Sequence, residues 1–282
     1  MATFYNQATL SFRGNLTGSN VVSGEIINAI EMTKTAVTQS YGAGESIVYT
    51  VSIVNNGASD GGPLTVTDDL GAFTQGTITV TPLTYVAGSI KYYLNGVLQP
   101  SPTVDAGPPL SISGLTIPAG ANALIVYAAE VNTTADLAEG TSIVNTATLG
   151  GACDEVTSSA TVPVREETDL IITKSVCPEA INCNQELNYT FIIQNGGNTD
   201  AVATDDVIIT DTFIPIFSSI SVTYNGENWT EGVNYTYDTQ TGEFATLPGQ
   251  ITVPAATYER DPVTGLVTKI PGNTVIKVTG TL

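Results

Sequence analysis

Histidine is absent from the 282 residues, and the basic residues number only eight. Without histidine there is no Ser–His or Cys–His nucleophile and no imidazole ligand for a metal. No phosphate-binding glycine loop and no metal-ligand cluster stands in for them. The sequence therefore offers no site for a conventional enzyme, and no cofactor or metal is expected. Against the eight basic residues stand 27 acidic ones, for a formal net charge of −19. So acidic a chain should not bind nucleic acid or an anionic membrane electrostatically, and solubility is the plainer use of the charge. Calcium at Asp-rich loops such as Asp205-Asp206 is the one rival use, and no EF-hand or comparable spacing supports it.

Long apolar runs are also missing, so no membrane insertion is expected. The N-terminus has no basic region followed by an apolar core, so no signal peptide is expected in this chain. Cysteine is scarce: Cys153, Cys177 and Cys183. An odd count leaves at least one unpaired within the chain. Cys177 and Cys183 flank a short loop and are candidates for a bridge, while Cys153, in the turn of a terminal hairpin, is placed to reach a neighbouring subunit. Three unreactive thiols is the equally simple reading. C-x5-C without histidine is not a zinc site.

What is abundant is strand chemistry. Val, Ile, Thr and Tyr recur in short runs separated by Gly, Pro, Asn, Asp and Ser. Tyr49 to Val54 and Leu124 to Val131 alternate like half-buried strands, and no segment holds a helical period. Asn-Gly pairs at Asn56, Asn95, Asn195 and Asn225 predict tight turns. The fold class is all-β, with two tandem immunoglobulin-like sandwiches and an N-terminal donor strand pair.

The tandem is visible as an internal repeat. Lys34 and Lys174 lie 140 residues apart in M-T-K-T-A-V and I-T-K-S-V. Tyr49 and Tyr189 keep the same offset in Y-T-V-S-I-V-N-N-G and Y-T-F-I-I-Q-N-G-G. Asp68 in V-T-D matches Asp211 in I-T-D, and Pro118 in I-P-A-G matches Pro271 in I-P-G-N. The ending repeats differently. I-V-N-T-A-T-L at Ile143 to Leu149 has its copy, F-Y-N-Q-A-T-L, at Phe4 to Leu10. Each is followed by a second strand, Ser158 to Val162 and Ser19 to Ser23.

This pattern predicts a donor hairpin over residues 1–27, a first domain over 28–164, a charged linker at Arg165-Glu166-Glu167, and a second domain over 168–282 that lacks its terminal strands. The N-terminal pair of one copy would complete the second domain of the next by β-strand addition. Such a head-to-tail contact with itself builds a filament unless the geometry closes. Self-completion is disfavoured, because the segment from Glu25 to Met32 spans too little to pass a sandwich domain. A disordered N-terminal arm beside a shorter domain is the alternative, at the cost of an exposed apolar edge.

Lys, Asp and Asn recur as a set at equivalent positions. A lysine inside an apolar strand is costly to bury unless paired or neutralised. The trio suits a spontaneous Lys–Asn isopeptide bond. Desolvation favours the free amine, a neighbouring carboxyl group polarises the amide carbonyl and shuttles protons, proximity supplies the acceleration, and ammonia leaves. Lys34 would join Asn145 with Asp68 as the acid. Lys174, with Asp211, would join Asn6 of the next subunit. Glu130 is a rival acid without a counterpart in the second domain. A buried salt bridge with an asparagine hydrogen bond would leave the same trace. The five N-x-[ST] sequences read as chance in so Asn- and Thr-rich a chain. Trp229 and Tyr235 read as a cross-strand aromatic pair rather than a sugar platform.

The motifs around Lys34 and Lys174, Tyr49 and Tyr189, Asp68, Pro118 and Asn145 together resemble the bacterial surface repeat catalogued as domain of unknown function 11. The resemblance covers nearly the whole chain. It implies tandem immunoglobulin-like domains on a bacterial surface, similar in layout to pilin and adhesin domains with Lys–Asn bonds. The acidic two-domain layout without a secretion signal also resembles the major appendage proteins of clostridial spores, which implies release by mother-cell lysis. The expectation is a structural fibre subunit at an extracellular, cell or spore surface. A non-polymerising adhesin or ligand-binding module is the alternative.

Overall fold

A computed structural model describes residues 2–26, 29–152, 155–179 and 186–282. Cys153 and Cys183 lie outside these residues. Among them every regular element is a strand except one 3-10 turn at Ala203–Asp205, where Asp205 accepts the Val202 N–H. The all-β class expected from the sequence is borne out. The chain divides into two compact units, residues 1–132 with 143–162 and residues 133–142 with 163–282.

The first four strands form one long hairpin. β1 (Ala2–Asn6) pairs with β4 (Val22–Ile26), and β2 (Thr9–Phe12) pairs with β3 (Asn15–Gly18). Arg13 and Gly14 make the tip with positive φ. Gln7 and Ala8 break the ladder, bonding to the Ser19 carbonyl and hydroxyl instead. The hairpin's apolar side chains are bare: Phe4, Tyr5, Leu10, Phe12 and Leu16 are each more than half exposed. A two-stranded ribbon is marginally stable in water, and among the described residues this one joins no larger sheet.

The rest of the first unit is a sandwich of β5 (Ile30–Ala36), β6 (Ser46–Asn55), β7 (Gly61–Asp68), β8 (Phe73–Gln75), β9 (Ile78–Val80), β10 (Leu83–Tyr85), β11 (Lys91–Leu94), β12 (Val97–Leu98), β13 (Thr103–Asp105), β14 (Leu110–Ile117), β15 (Asn122–Val131), β16 (Ser142–Gly150) and β17 (Val156–Pro163). One sheet runs β12-β11-β15-β6-β5, with β10 also on β15. The other runs β13-β14-β7-β16-β17. Period-two alternation puts Ile47, Tyr49, Val51 and Ile53 of β6 and Leu64 and Val66 of β7 into the core. Four polar side chains are buried there: Lys34, Asp68 and Asn145, one on each of three strands, and Asn55 at the end of β6.

The second unit holds β18 (Leu170–Cys177), β19 (Glu186–Asn195), β20 (Thr210–Thr212), β21 (Ser219–Tyr224), β22 (Glu227–Asn228), β23 (Tyr235–Tyr237), β24 (Glu243–Thr246), β25 (Thr257–Arg260), β26 (Val267–Ile270) and β27 (Gly272–Thr281). One sheet runs β18-β19-β27-β21-β22, in the same order as β5-β6-β15-β11-β12. Among the described residues the opposing sheet is β20-β24-β23, and β25 pairs with β26. Phe213, Phe217 and Phe244 fill the core, with Phe213 stacked 5.0 Å from Tyr189. Nothing among the described residues holds the places of β16 and β17. The consequence shows on β18. Its counterpart β5 buries alternate residues, whereas β18 buries none: Ile172 is 53% exposed where Met32 is 7%.

Two local expectations change. Asn95-Gly96 and Asn225-Gly226 take positive φ at both residues, as a tight hairpin turn requires. At the other two Asn-Gly pairs an asparagine side chain makes the turn. Asn55 Oδ1 accepts the Gly57 N–H, and Asn195 Oδ1 accepts the Gly197 N–H. Trp229 stacks on Tyr224 at 5.0 Å, while Tyr235 packs on Phe244, so the aromatic pair forms with a different partner.

Candidate functional site

In the first unit, β5 and β7 lie in opposite sheets and aim Lys34 and Asp68 at each other. Lys34 Nζ is 2.5 Å from Asp68 Oδ2, with both side chains sealed from solvent. The ammonium also lies 4.7 Å above the Tyr49 ring and 5.9 Å from that of Tyr127. Burial pulls the Lys34 pKa down, against the opposing pull of the Asp68 charge.

Asn145, on β16, completes the cluster and is fully buried. Its Nδ2 donates to Tyr127 Oη at 3.4 Å, and its Oδ1 accepts the Gly71 N–H at 3.2 Å. A backbone N–H can only donate, so the amide's orientation follows from the network. The carbonyl oxygen therefore faces Gly71 rather than the Asp68 carboxyl group. Tyr127 Oη donates a very short hydrogen bond to Asp68 Oδ2. Burial first, and then the Asp68 charge, push the Tyr127 hydroxyl well up from its ordinary pKa, and burial does the same to Tyr49.

The local sequence Asp68-Asp69-Leu70-Gly71 builds the floor of this site. Asp68 Oδ1 accepts the Leu70 N–H, and Asp69 Oδ1 accepts those of Gly71 and Thr146. Leu70 and Gly71 take the left-handed conformation, with φ of 56° and 72°. The turn thus ties the end of β7 to β16 just beside Asn145. On the far side, the Lys34 N–H donates to Ser158 Oγ of β17 at 2.9 Å.

The second unit repeats the pair without the cover. Lys174 of β18 reaches Asp211 of β20 through a short ion pair. Their side chains are 39% and 18% exposed, against 0% and 1% for Lys34 and Asp68. Lys174 Nζ sits over Tyr189 at 4.4 Å, as Lys34 sits over Tyr49. Strand register makes Val278 the counterpart of Tyr127, since Tyr127 faces Tyr49 and Val278 faces Tyr189. An open depression lined by Thr210, Asp211, Thr212 and Phe244 borders the pair. Asn6 is exposed at the end of β1.

Glu130, the rival acid, is exposed on the outer face of β15, away from Lys34. Cys177 is exposed, and no disulfide forms among the described residues. Among those residues no group of three His, Cys, Asp or Glu could hold a metal, and no helix is long and apolar enough to cross a membrane. Sequence reasoning missed Tyr127 and Gly71. Tyr127 carried a signal, an aromatic on an inward position, but its partner Tyr49 is set by strand register.

No family model and no curated protein matches the chain. Among solved structures it is similar to a 35 kDa C-terminal fragment of the major pilin GBS80 of Streptococcus agalactiae, with 14% identity, 86% of this chain and 91% of that one covered, and a TM-score of 0.35. It is similar to domains D2 and D3 of the major pilin SpaD of Corynebacterium diphtheriae, with 14% identity, coverage of 85% and 88%, and a TM-score of 0.35. It is also similar to the collagen binding subdomain of the surface protein ACE of Enterococcus faecalis, with 7% identity, coverage of 49% and 99%, and a TM-score of 0.29. Likeness at this level says nothing of what the chain does.

Proposed function

We propose that the chain is a structural subunit of an extracellular or spore-surface fibre, polymerising head to tail by donor-strand complementation. The hairpin of one copy takes, in the second unit of the next, the place that β16 and β17 hold in the first unit. One observation carries this reading. The same Lys–Asp pair occurs in both units, sealed where an asparagine-bearing strand pair covers it and open where none does.

The hairpin fits that place residue by residue. Ile143, Asn145, Ala147 and Leu149 are the buried side chains of β16. Phe4, Asn6, Ala8 and Leu10 repeat the alternation. Ala147 lies opposite Asp68, so Ala8 would lie opposite Asp211 and bring Asn6 to Lys174. Ser19, the counterpart of Ser158, would accept the Lys174 N–H. Edge pairing supplies main-chain hydrogen bonds, and the alternating side chains supply register.

The lysines and asparagines then join without cofactor or metal. Lys34 links to Asn145 within a subunit and Lys174 to Asn6 between subunits, with Asp68 and Asp211 as the acids. The resemblance of the motifs to the surface-repeat family and of the two-domain layout to spore appendages suits this reading.

The test is peptide mass spectrometry on assemblies boiled in detergent. A Lys34–Asn145 cross-linked peptide in every subunit and a Lys174–Asn6 peptide in the ladder are the expected products. Assemblies that boil to unmodified monomers would sink the covalent reading. Assembly that survives removal of residues 1–26 would sink donation.

A further inference from the structure

Resting on the cross-linking reading of the first unit, we infer that Tyr127 is a catalytic residue, whose hydroxyl carries a proton from Asp68 to the departing nitrogen of Asn145. Tyr127 Oη is the atom that touches both groups. It is hydrogen-bonded to Asp68 Oδ2 on one side and lies 3.4 Å from Asn145 Nδ2 on the other. Its ring is held in place by a stack on Tyr49, centroids 5.5 Å apart. Asp68 already holds Lys34 Nζ and the Leu70 N–H. Among the described residues, Asp68 accepts from Lys34 Nζ, the Leu70 N–H and Tyr127 Oη, while Nδ2 donates to Tyr127 Oη.

The steps balance as follows. Lys34 passes an ammonium proton to Asp68, and the freed amine attacks Asn145 Cγ. The Nζ–Cγ bond forms, and the carbonyl π pair moves onto Oδ1, where the Gly71 N–H stabilises the charge. Protonated Asp68 now donates to Tyr127 Oη, and the Tyr127 proton goes to Nδ2, whose lone pair is free in the tetrahedral adduct. Asp68 takes the second proton from Nζ. The Cγ–Nδ2 bond breaks, its electron pair leaves with nitrogen as ammonia, and the carbonyl re-forms. Tyr127 ends with the proton count it began with.

The second unit supplies an internal control, because Val278 has no hydroxyl at this place. The experiment follows ammonia loss and the Lys34–Asn145 peptide over time in newly translated full-length chain, wild type against Tyr127→Phe. The phenylalanine keeps the ring stack and removes only the hydroxyl. A slowing on the order of a hundredfold for Lys34–Asn145, with Lys174–Asn6 joining at the wild-type rate, is expected. Formation of the internal bond at the wild-type rate, or equal slowing of both bonds, overturns the inference. Absence of any internal bond in wild type overturns the cross-linking reading instead. Should Tyr127→Phe fail to fold by circular dichroism, fluorotyrosine placed at 127 keeps the hydroxyl and makes it more acidic. An unchanged rate in that chain overturns the relay.

Discussion

Asn145 Oδ1 accepts a hydrogen bond from the backbone N–H of Gly71, 3.2 Å away in the interior of the first unit. That contact fixes which end of the amide meets which neighbour. The oxygen rests on a dipole that no mutation of a side chain removes, and the nitrogen is left to Tyr127 and the acid behind it. Asn145 is therefore held between a donor suited to a developing negative charge and a hydroxyl suited to a leaving group. The lysine arrives from the opposite sheet. The sandwich thus brings nucleophile, acid and amide together by closing two sheets, and the Asp68–Gly71 turn fixes the orientation of the amide.

The two ion pairs should respond differently to loss of their lysines. Measured against wild-type chain in which the Lys34–Asn145 bond has not yet formed, Lys34→Met leaves Asp68 buried without its cation, and the first unit should lose about 3–5 kcal/mol. Lys174→Met removes a pair that is partly in water, and the free subunit should lose about 1 kcal/mol or less. Urea unfolding of the two variants checks this, with each unit followed by hydrogen exchange of its own core amides. Equal losses would mean that exposure does not separate the two sites.

The buried tyrosines give the first unit an alkaline limit. In the unfolded chain Tyr49 and Tyr127 release their protons near pH 10.0, whereas burial raises both in the fold. Above that pH the folded state holds more protons than the unfolded one, so stability falls as pH rises. Below it both states are protonated, and the two residues add no slope. Tyr49→Phe should flatten the fall between about pH 10 and pH 11. Urea midpoints measured on either side of pH 10 provide the check.

Much of this was legible in the chain itself. The offset of 140 residues places Lys34 and Lys174 on equivalent strands, and period-two alternation puts both on the inward face. Asp68 and Asn145 were legible because a charged or amide side chain inside an apolar strand stands out. Tyr127 was not, since an aromatic at an inward position reads as ordinary core. Its meaning depends on the register that sets it opposite Tyr49, far away in sequence. Gly71 was hidden for another reason. Its contribution is a backbone N–H, aimed by a turn whose Asp69 accepts hydrogen bonds from both sides. The exposure of Lys174 likewise comes from what covers β18, which no residue of β18 encodes.

Leu10→Asp should block assembly while leaving both sandwiches folded. Leu10 is 65% exposed in the free hairpin, and its counterpart Leu149 is fully buried. Burial of a leucine is worth about 1.5–3 kcal/mol, and a carboxylate in its place adds a desolvation cost of its own. Asn6→Ala should act on a different step. Its strand can still be donated, so fibres should form and then fall to monomers when boiled in detergent. Light scattering and gel electrophoresis separate the two outcomes. Assembly by Leu10→Asp at the wild-type rate would place the hairpin outside the joint.

The backbone amide of Lys174 gives the most local report of donation. Lys34 N–H points off the free edge of β5 and is held by Ser158 Oγ at 2.9 Å. Lys174 occupies the same position on β18, whose only ladder among the described residues is with β19. In the free subunit its amide should exchange quickly, because an edge N–H directed at water has no competing acceptor. In the assembled fibre, Ser19 of the incoming hairpin should occupy the place of Ser158 and slow that exchange, while the Lys34 amide stays slow in both states. Hydrogen exchange read by mass spectrometry on peptides spanning residues 170–177 and 30–36 makes the comparison. Protection that appears over residues 170–177 on assembly and disappears with Ser19→Ala, the ladder otherwise intact, would locate the donated hairpin against β18 in the same register as β17 against β5. Fast exchange at Lys174 in the fibre would mean that the hairpin joins subunits through some other surface.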